Sequence, residues 1–540
     1  YQTSLIYCFN DEQSLYYIDK EFNFYAFHIP TQKNEFIANL GKEIQERGKI
    51  SSIVHYHNSY FVGFLMDGIL LLEKQKETDH YQIQSLPINS GVFCLKKDRF
   101  QDVVWIGTDG QGVYLYSNPL YSIKSMVLSN YTEKIERPVR AIYLDDERTF
   151  WVGTKGNGIL KIYDYEFDKN ISDCRAEVLT TSNSALSSNA VYCFAKSHRN
   201  LLWIGDEEGL TYYSYREKRI KSIPIRIGNE DFKYIHGIYE TADSELWLAS
   251  VGMGVVKARI AGTPDNPVIV DAQRYIINDG ELGSNYFFTI YAENEANLLF
   301  GNKGYGVFRY NETTNGLEPV STHKYENMTL NNILAISKDS SNNYLFGTSY
   351  GLIKYTSETS YQLFNAKNGF LNNTIHAILR NSSDDFWLST NLGLINFDTK
   401  RNVFRSYGFG DGLKVVEFSD GAAFRDSQTG TLFFGGINGV VAIRADGRPE
   451  QLYMPPVYFD KLSIFGEQYN LGEFLTRKKE TEVLNLQYDQ NFFSVSFASV
   501  DYLNGNNCTY FYKLKGLSDQ WVNNGSESGV SFTNMAPGEY

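Results

Sequence analysis

Short segments in which apolar and polar residues alternate recur along most of the chain, separated by polar turns rich in Gly, Asn and Asp. Alternation with a period of two predicts β-strands, and the short turns predict antiparallel connections between them. In one representative stretch the pattern predicts four strands, at residues 190–194, 201–205, 210–213 and 220–225. The segments between these strands lack the period of an amphipathic helix. The chain is therefore predicted to be all-β.

One unit repeats within this pattern: an aromatic or aliphatic residue, an apolar residue, a small residue, a polar turn, Gly, and then an alternating strand. Nine copies are clear, and a degenerate tenth lies near Ser14–Ile18. The small residues of the nine copies are Gly63, Gly107, Gly153, Gly205, Ala249, Gly301, Gly347, Ser389 and Gly435. Their mean spacing is about 46 residues, which is typical of the four-stranded blades of a β-propeller.

Counting back from Gly435 to Gly153 gives seven consecutive units, enough for one complete ring. We therefore predict that residues 1–120 are the last blades of a first, truncated propeller and that residues 121–448 form a complete seven-bladed propeller. The joint is predicted between Ser117 and Pro138. A single ring with more blades is the alternative.

The pattern changes after Arg444, where a different strand-rich segment begins at Pro455. Its alternating stretches at 484–488, 492–497 and 510–514 predict an incomplete immunoglobulin-like β-sandwich over residues 455–540. The predicted fold class is thus all-β: seven-bladed propeller or propellers of four-stranded blades, followed by such a sandwich.

Composition excludes some classes of function. The net charge of −13 argues against a general binder of nucleic acid or anionic membranes. No apolar run approaches the ~18 residues of a membrane span. The five cysteines fit no metal or disulfide framework, and Cys94 and Cys193, at matching places in two repeats, are predicted to be small buried residues. The chain has neither an initiator Met nor a signal peptide, and both ends are expected to be cut.

Two sets of motifs carry a family resemblance. The unit apolar-Trp-Ile-Gly-Thr-x-x-Gly-Leu resembles the regulator-type propeller repeat of bacterial sensors, with variants at Leu371–Ile375, Asp411–Leu413 and Phe434–Gly439. The tail is similar to the triple-tyrosine domain that follows those propellers, through Asn491–Ser494, Tyr510–Tyr512, Trp521 and Pro537–Tyr540. The order of these domains covers nearly the whole chain.

The resemblance implies the periplasmic sensor region of a Bacteroides-type hybrid two-component system, an inner-membrane protein. In that family a transmembrane helix, a histidine kinase, a receiver and a DNA-binding module follow, and none of these is present here. The usual ligands are oligosaccharides derived from glycans, and a homodimer is implied. For this part of the protein we expect no catalytic residues, no cofactor, no metal and no nucleic-acid partner, and membrane attachment only through a downstream helix.

A sensor needs a ligand site, and we expect it on a propeller face or in a cleft between domains. Propellers usually bind ligands on the face that carries their loops, here the loops before each first strand and the turns between second and third strands. Sugar recognition combines aromatic stacking with hydrogen bonds from polar side chains. The candidates before first strands are Arg140, Asn189, His236, Asn285, Tyr286, Asn332 and Asn373. The candidates in the turns are Lys155, Asp206, Lys303, Tyr305, Tyr350 and Asn391. Asn and Asp also close turns in their own right, so each of these has a structural interpretation as well.

Two other functions are kept as hypotheses, because a fold does not decide a function. A propeller glycoside hydrolase or polysaccharide lyase predicts convergent carboxylates, or a cluster of His, Tyr and Arg, in one funnel. A protein-binding scaffold predicts a broad exposed patch. Residues Gly347–Gly351 match the G-x-S-x-G pattern of a nucleophile elbow. They occupy the same turn of the repeat as Thr108–Gly112, and we therefore interpret them as structural.

Overall fold

The structure is a computed structural model. It describes residues 5–11, 13–75, 80–117, 121–130, 135–277, 285–320, 331–370, 372–445, 455–478, 481–503, 508, 510–525 and 527–540. Leu371 of the family motif and residues 118–120 and 131–134 of the predicted joint lie outside these ranges. The chain divides into two compact units, Tyr1–Leu120 with Pro449–Phe459 and Phe497–Gly505, and Tyr121–Arg448 with Asp460–Ser496 and Asn506–Tyr540.

The first unit contains two four-stranded antiparallel sheets and one three-stranded sheet among its described residues. The strands, numbered along the chain, are β1 Leu5–Asn10, β2 Ser14–Asp19, β3 Asn23–His28, β4 Lys33–Asn39, β5 Ile50–Tyr56, β6 Ser59–Phe64, β7 Ile69–Lys74, β8 Tyr81–Ser85, β9 Val92–Lys97, β10 Val103–Thr108 and β11 Val113–Ser117. A short helix, α1 Gly41–Arg47, links the first two sheets. Within this unit, the carboxamide of Gln101 holds the stretch 497–505: it donates to the Val500 carbonyl at 3.0 Å and accepts from Tyr502 N at 2.9 Å.

Seven four-stranded sheets, called blades 1 to 7 below, lie in the described part of residues 121–445. Blade 1 contains β13 Val139–Leu144, β14 Phe150–Thr154, β15 Ile159–Ile162 and β16 Ala176–Leu179. Blade 2 contains β17 Val191–Lys196, β18 Leu201–Asp206, β19 Leu210–Ser214 and β20 Arg219–Ser222. These four strands of blade 2 fall where the alternation predicts them, within three residues at each end.

The remaining blades repeat this arrangement. A two-stranded hairpin, β21 Arg226–Ile227 and β22 Glu230–Asp231, precedes blade 3. Blade 3 contains β23 Ile235–Glu240, β24 Glu245–Ser250, β25 Gly254–Thr263 and β26 Asn266–Tyr275, and blade 4 contains β27 Phe287–Asn294, β28 Asn297–Asn302, β29 Gly306–Asn311 and β30 Gly316–Pro319. Blade 5 contains β31 Ile333–Lys338, β32 Tyr344–Thr348, β33 Gly351–Ser357 and β34 Ser360–Phe364. Blade 6 contains β35 Ala377–Arg380, β36 Asp385–Thr390, β37 Gly393–Asp398 and β38 Val403–Tyr407. Single 3-10 turns occur at Leu128–Asn130, Ile171–Asp173, Ala366–Asn368, Phe409–Asp411 and Leu471–Glu473.

Blade 7 closes the ring with strands from both ends of this region. It is built from β39 Phe418–Arg425, β40 Leu432–Gly436 and β41 Gly439–Ala445, and its outermost strand is β12 Tyr121–Val127. β12 pairs with β41 without interruption, from Tyr121↔Ala445 to Val127↔Gly439. The first strands of consecutive blades contact one another around the whole circle, and β39 contacts β13. The unit is a closed seven-bladed propeller, so the predicted fold class is confirmed.

The repeat motif is explained by packing between blades. Trp151, Trp203, Trp247 and Trp387 are at most 2% exposed and fill equivalent places between neighbouring sheets. The small residue of the motif lies where the second strand of one blade crosses the start of the next blade: a Cβ on Gly347 would lie 2.9 Å from Ile375 Cγ2. The Gly347–Gly351 segment is the turn between β32 and β33, as predicted.

In the C-terminal segment, residues 455–540, the described strands pair only with one another. Its strands are β42 Val457–Ile464, β43 Glu467–Tyr469, β44 Leu475–Lys478, β45 Thr481–Leu484, β46 Phe493–Ser499, β47 Tyr510–Tyr512, β48 Val522–Gly525 and β49 Gly529–Phe532. Among the described residues they form one four-stranded sheet, in the order β43-β42-β46-β49, and two hairpins. This is the strand-rich segment predicted for residues 455–540.

The prediction that Cys94 is buried is wrong, and the same prediction for Cys193 holds only in part, because Cys193 is intermediate in exposure. Cys94 is exposed, because β9 buries Val92 and leaves the next two side chains uncovered, whereas the Cys193 thiol packs against the Ile235 carbonyl at 3.5 Å. The described cysteines form no disulfide.

Candidate functional site

The two faces of the propeller differ in the segments that they carry. In a blade of four antiparallel strands, the loop before the first strand and the turn between the second and third strands lie at the same end. We call this end the ring face. The hairpins between first and second strands, and between third and fourth strands, lie on the opposite face.

A β-bulge recurs at the second residue of the first strand in blades 1 to 5. In blade 1, Val139 pairs with Thr154 and Ala141 pairs with Gly153, so Arg140 is the extra residue. A bulge re-aims the side chain of its extra residue out of the ladder. Because the first strands line the axis, the extra residues form a ring around it. In blade 6 the equivalent residue, His376, directly precedes β35, and its N–H donates to the Ser389 carbonyl. The seven members, called the axial ring below, are Arg140, Tyr192, His236, Phe288, Leu334, His376 and Asp420.

Blade 7 departs from the pattern by a longer bulge. Phe418 pairs with Gly436 and Ala423 pairs with Phe434, so β39 carries two residues more than the other first strands at this point. The insertion brings β39 into contact with β17, β27 and β31, beyond its neighbours β13 and β35. Gly421 N donates to the His376 carbonyl at 3.1 Å, which anchors the insertion. The longer bulge therefore carries Asp420 toward the axis.

One arc of the ring is a polar network. Asp420 Oδ1 accepts from His376 Nδ1 at 2.5 Å, and His376 Nε2 lies 2.6 Å from Asn391 Oδ1. Asp420 Oδ2 lies 3.7 Å from Arg140 NH1. Burial alone would raise the pKa of the Asp420 carboxyl, but the hydrogen bond and charge of His376 and the charge of Arg140 outweigh it and hold this pKa below its usual value.

The other arc is aromatic. The His236 ring stacks on Tyr192 with centroids 4.2 Å apart, and the edge of Phe288 meets it at 5.8 Å. Leu334 continues this arc and is buried. Burial, together with the positive charges of Arg140 and Lys155, lowers the pKa of His236 to about 3. His236 is therefore a neutral imidazole at physiological pH, available both to stack and to hydrogen-bond.

Three of the predicted asparagines occupy equivalent places and hold loops. Their Oδ1 atoms accept from backbone N–H groups seven or eight residues earlier: Asn189 from Thr181 at 2.9 Å, Asn285 from Ile277 at 2.8 Å and Asn373 from Ala366 at 2.8 Å. The carbonyls of Asn189 and Asn285 each accept from two glycine N–H groups of the preceding blade. These amides position the loops of the ring face.

The other predicted residues are spread over the face. Asn391 and His236 belong to the network and the aromatic arc described above, and Arg140 to the ring. Lys155 is exposed and its backbone bridges to Ala190; Tyr286 is 43% exposed with Lys303 Nζ 5.9 Å from its ring centroid. Tyr305 and Tyr350 pack partly against the cores of blades 4 and 5, and Asn332 is half-buried beside β31.

Asp206 is fully buried and its carboxylate is occupied. Its Oδ1 accepts from Glu208 N at 2.9 Å and Gly209 N at 3.0 Å, and its Oδ2 accepts from Ser187 Oγ at 2.6 Å. Burial raises the pKa of Asp206 to about 6 in spite of these bonds. The group ties the β18–β19 turn to the loop before blade 2.

This raised pKa predicts a pH dependence of stability. A carboxyl with a folded pKa of about 6 and an unfolded pKa of 3.8 binds its proton more tightly when folded. Its contribution to stability is therefore present below about pH 4 and is lost as the pH rises to about 6. We expect Asp206→Asn to gain about 3 kcal/mol relative to the wild type between those limits, measured by urea unfolding across pH. The exposed Asp243→Asn is the control and should show no such trend; a difference that shrinks with pH would contradict the assignment.

Exposed apolar side chains also mark the ring face. In the described part of residues 121–445, the large exposed ones on loops all lie at this end: Tyr234, Ile276, Tyr286, Leu392, Phe409 and Ile437. The other four lie on the outermost strands of their blades. In the described turns of the opposite face, no large apolar side chain is exposed to this extent. A shallow polar pocket of about 480 Å³ lies at the rim between blades 1 and 2, lined in part by Asn157, Thr180 and Asn189, away from the axial ring.

Sequence reasoning missed five ring members, Tyr192, Phe288, Leu334, His376 and Asp420. A signal for four of them exists: each follows the first apolar residue of a first strand, as Arg140 and His236 do. Asp420 breaks this spacing because of the insertion in β39.

Comparisons with known proteins agree with this architecture. A family model described as the Y_Y_Y domain matches residues 501–540. The extracellular domain of the B. thetaiotaomicron protein BT3049, named as a hybrid two-component system, matches with a TM-score of 0.58 and 23% identity over 99% of this chain and 74% of that one. This likeness establishes the fold.

A protein named histidine kinase P4, from Formosa agariphila, is 24% identical over 403 residues, 71% of this chain. The chain spans 28% of the length of that relative. The predicted resemblance to sensors that combine propellers with a triple-tyrosine domain is thus confirmed. In the described part of the chain, no helix is long and apolar enough to cross a membrane.

Proposed function

We propose that this chain is the extracytoplasmic ligand-sensing region of a hybrid two-component histidine kinase, and that it binds an oligosaccharide derived from a glycan at the axial ring. The observation that carries the proposal is the ring itself, where one repeated bulge brings stacking rings and hydrogen-bonding groups to a single place. Aromatic surface beside polar groups is the combination that sugars require.

Signalling needs a ligand that binds two arrangements of the protein with different affinity. In the proposed mechanism, the bound sugar changes the packing of two protomers, and the triple-tyrosine domains pass this change toward a transmembrane helix and a kinase downstream. The proposal is supported by a relative named as a histidine kinase and by the fold shared with the extracellular domain of a protein named as a hybrid two-component system. The periplasm is the proposed location, and this region is proposed to have no catalytic role of its own.

A second candidate function has a specific observation in its favour. Tyr192, His236 and Arg140 lie on adjacent blades of one ring, and a polysaccharide lyase uses such a set. Arg140 would neutralise a uronate carboxylate and the neutral His236 would take the C5 proton. A C4=C5 double bond would form as the C4–O bond breaks, and the Tyr192 hydroxyl would give its proton to the leaving oxygen. Asp420 is the only carboxylate among the seven ring residues, so the ring lacks the pair of carboxyl groups used by a glycoside hydrolase.

The test is calorimetry of this chain against a panel of di- to tetrasaccharides from plant, algal and host glycans, with product analysis by chromatography and ultraviolet absorbance of unsaturated uronates. We expect saturable binding without any product. Tyr192→Ala should weaken binding at least tenfold, because it removes a stacking surface, while Tyr192→Phe keeps that surface. His198→Ala, exposed on the opposite face, is the control.

The possible outcomes separate the candidates. An unsaturated product would identify a lyase, and cleavage by water would identify a hydrolase; either would overturn the sensor assignment for this region. Absence of binding to every member of the panel would also contradict it.

A further inference from the structure

The two arcs of the axial ring differ in how far their polar atoms are satisfied within the protein. His376 has both ring nitrogens within 2.6 Å of oxygen atoms, and Asp420 accepts from His376. Among the described residues, by contrast, no hydrogen bond reaches the Arg140 guanidinium, the Tyr192 hydroxyl or either ring nitrogen of His236. These three residues are neighbours, on blades 1, 2 and 3.

The Arg140 guanidinium has few hydrogen-bond partners for a side chain that is mostly buried. Its side chain is 16% exposed, the same as that of Arg199. Arg199 donates to Ser244 Oγ at 2.7 Å and to the Ile260 carbonyl at 3.4 Å, and it lies 3.6 Å from a Glu240 carboxylate oxygen. Arg140 has one contact, at 3.7 Å, with a carboxylate that His376 already occupies. A guanidinium carries five N–H donors, and leaving them without acceptors in a mostly buried place is unfavourable.

Two cations, Arg140 and Lys155, lie close enough to His236 to lower its pKa, although the chain as a whole carries −13. Lys155 lies on the turn next to the aromatic arc and has no ion pair among the described residues. With His236 neutral, Arg140 and Lys155 face Asp420, the single acid of the ring, and Glu207, whose charge acts on Tyr192 from the β18–β19 turn. Planar guanidinium groups bind carboxylate and sulfate oxygens through two parallel hydrogen bonds.

We infer that the axial ring binds a saccharide through an anionic substituent, a carboxylate or a sulfate ester, held by Arg140 with Lys155 at the mouth. Tyr192 stacks on the sugar or donates to its hydroxyls, and His236 accepts from them. The inference rests on the proposed sensing function and adds the class of ligand. The His376–Asp420–Asn391 network is the scaffold that keeps the ring in place.

The experiment uses matched sugars that differ only in charge. Cellobiose, lactose and chitobiose are each compared with the counterpart oxidised at C6 of the non-reducing sugar to a uronate and with the counterpart sulfated at C6, by calorimetry with the whole chain. We expect an acidic member of at least one set to bind at least tenfold more tightly than its neutral counterpart. The uronate and sulfate arms show which anion the ring takes.

Variants connect this preference to the site. Arg140→Gln should abolish it, Arg140→Lys should keep part of it, and Lys155→Gln, an exposed change that leaves the core intact, should reduce it several-fold. Lys414→Gln removes one positive charge at the rim, beside β12, and should change nothing. Thermal unfolding of each variant shows that it is folded.

Two results would overturn the inference. Equal affinity for neutral and acidic members would remove the anionic class of ligand and leave the sensing function intact. A preference for acids that survives both Arg140→Gln and Lys155→Gln would remove the assignment of the anion to these two residues. Absence of binding both here and across the wider panel would instead remove the sensing function, and the inference with it.

Discussion

Gly205→Ala is expected to destabilise the propeller by about 3 kcal/mol, a large effect for a single methyl group. A Cβ at this position would lie 2.5 Å from Cys193 Sγ and 2.8 Å from the carbonyl oxygen of Ile235, which begins the next blade. A side chain can rotate away, but the backbone of Ile235 is fixed by its pairing with Ser250. The extra atom therefore forces blades 2 and 3 apart.

The measurement is urea unfolding followed by the fluorescence of the six tryptophans, which include the neighbouring Trp203. Gly316→Ala is the control, because its added Cβ has no neighbour nearer than 3.8 Å, and its effect should stay within about 0.5 kcal/mol. Blade 3 shows how the site can tolerate alanine: Ala249 replaces the glycine there, and its partner on the first strand is Gly237. Cys193→Gly should accordingly recover part of the loss, and equal stability of Gly205→Ala and Gly316→Ala would contradict the packing argument.

Met126→Asp is expected to have the larger effect, a loss of about 4 kcal/mol or more, because it opens the ring. Met126 lies on β12, the strand that completes blade 7, and is 0% exposed within the cluster formed with Val440, Phe433 and Val139. Aspartate would leave a cavity and bury a charge without a partner. Since β12 is joined to blade 7 by its pairing with β41, weakening it releases the closure of the whole propeller.

Thermal unfolding and limited proteolysis measure this effect. Proteolysis of the variant should cut first near residues 121–127, as the strand detaches. Val403→Asp is the matched control, an aspartate on the outermost strand of blade 6 where Val403 is 37% exposed, and it should cost less than about 1 kcal/mol. If both variants unfold alike, β12 does not act as the closing strand.

The fold was predictable from the chain because each blade repeats one local pattern. Strand alternation and the recurring small residue identify nine clear units, and the count of seven from Gly153 to Gly435 agrees with the seven sheets described in that region. Exposure was less predictable: Cys94 and Cys193 occupy matching places in the repeat, yet Cys94 is exposed. The difference arises from what covers each strand, which the repeat does not encode.

The candidate site was predictable only in part. Arg140 and His236 were chosen from the sequence, and the structure places both in the axial ring; Asn391 was chosen without its partner His376. The asparagines at 189, 285 and 373 were identified by residue type, and the structure engages their side chains in loop hydrogen bonds. Asp206, also chosen by type, is buried, because the turn folds its carboxylate inward onto backbone N–H groups.

By itself, the sequence determined that the chain is all-β, that its blades have four strands, and which end of the blades carries the variable loops, because these follow from local periodicity and turn chemistry. Only the tertiary structure decided which side chains meet. The bulges that build the axial ring are features of pairing register, and the insertion in β39, which holds Asp420, contacts first strands beyond those of the two neighbouring blades. The ring closure by β12 likewise joins residues more than three hundred positions apart, a contact that no local pattern can specify.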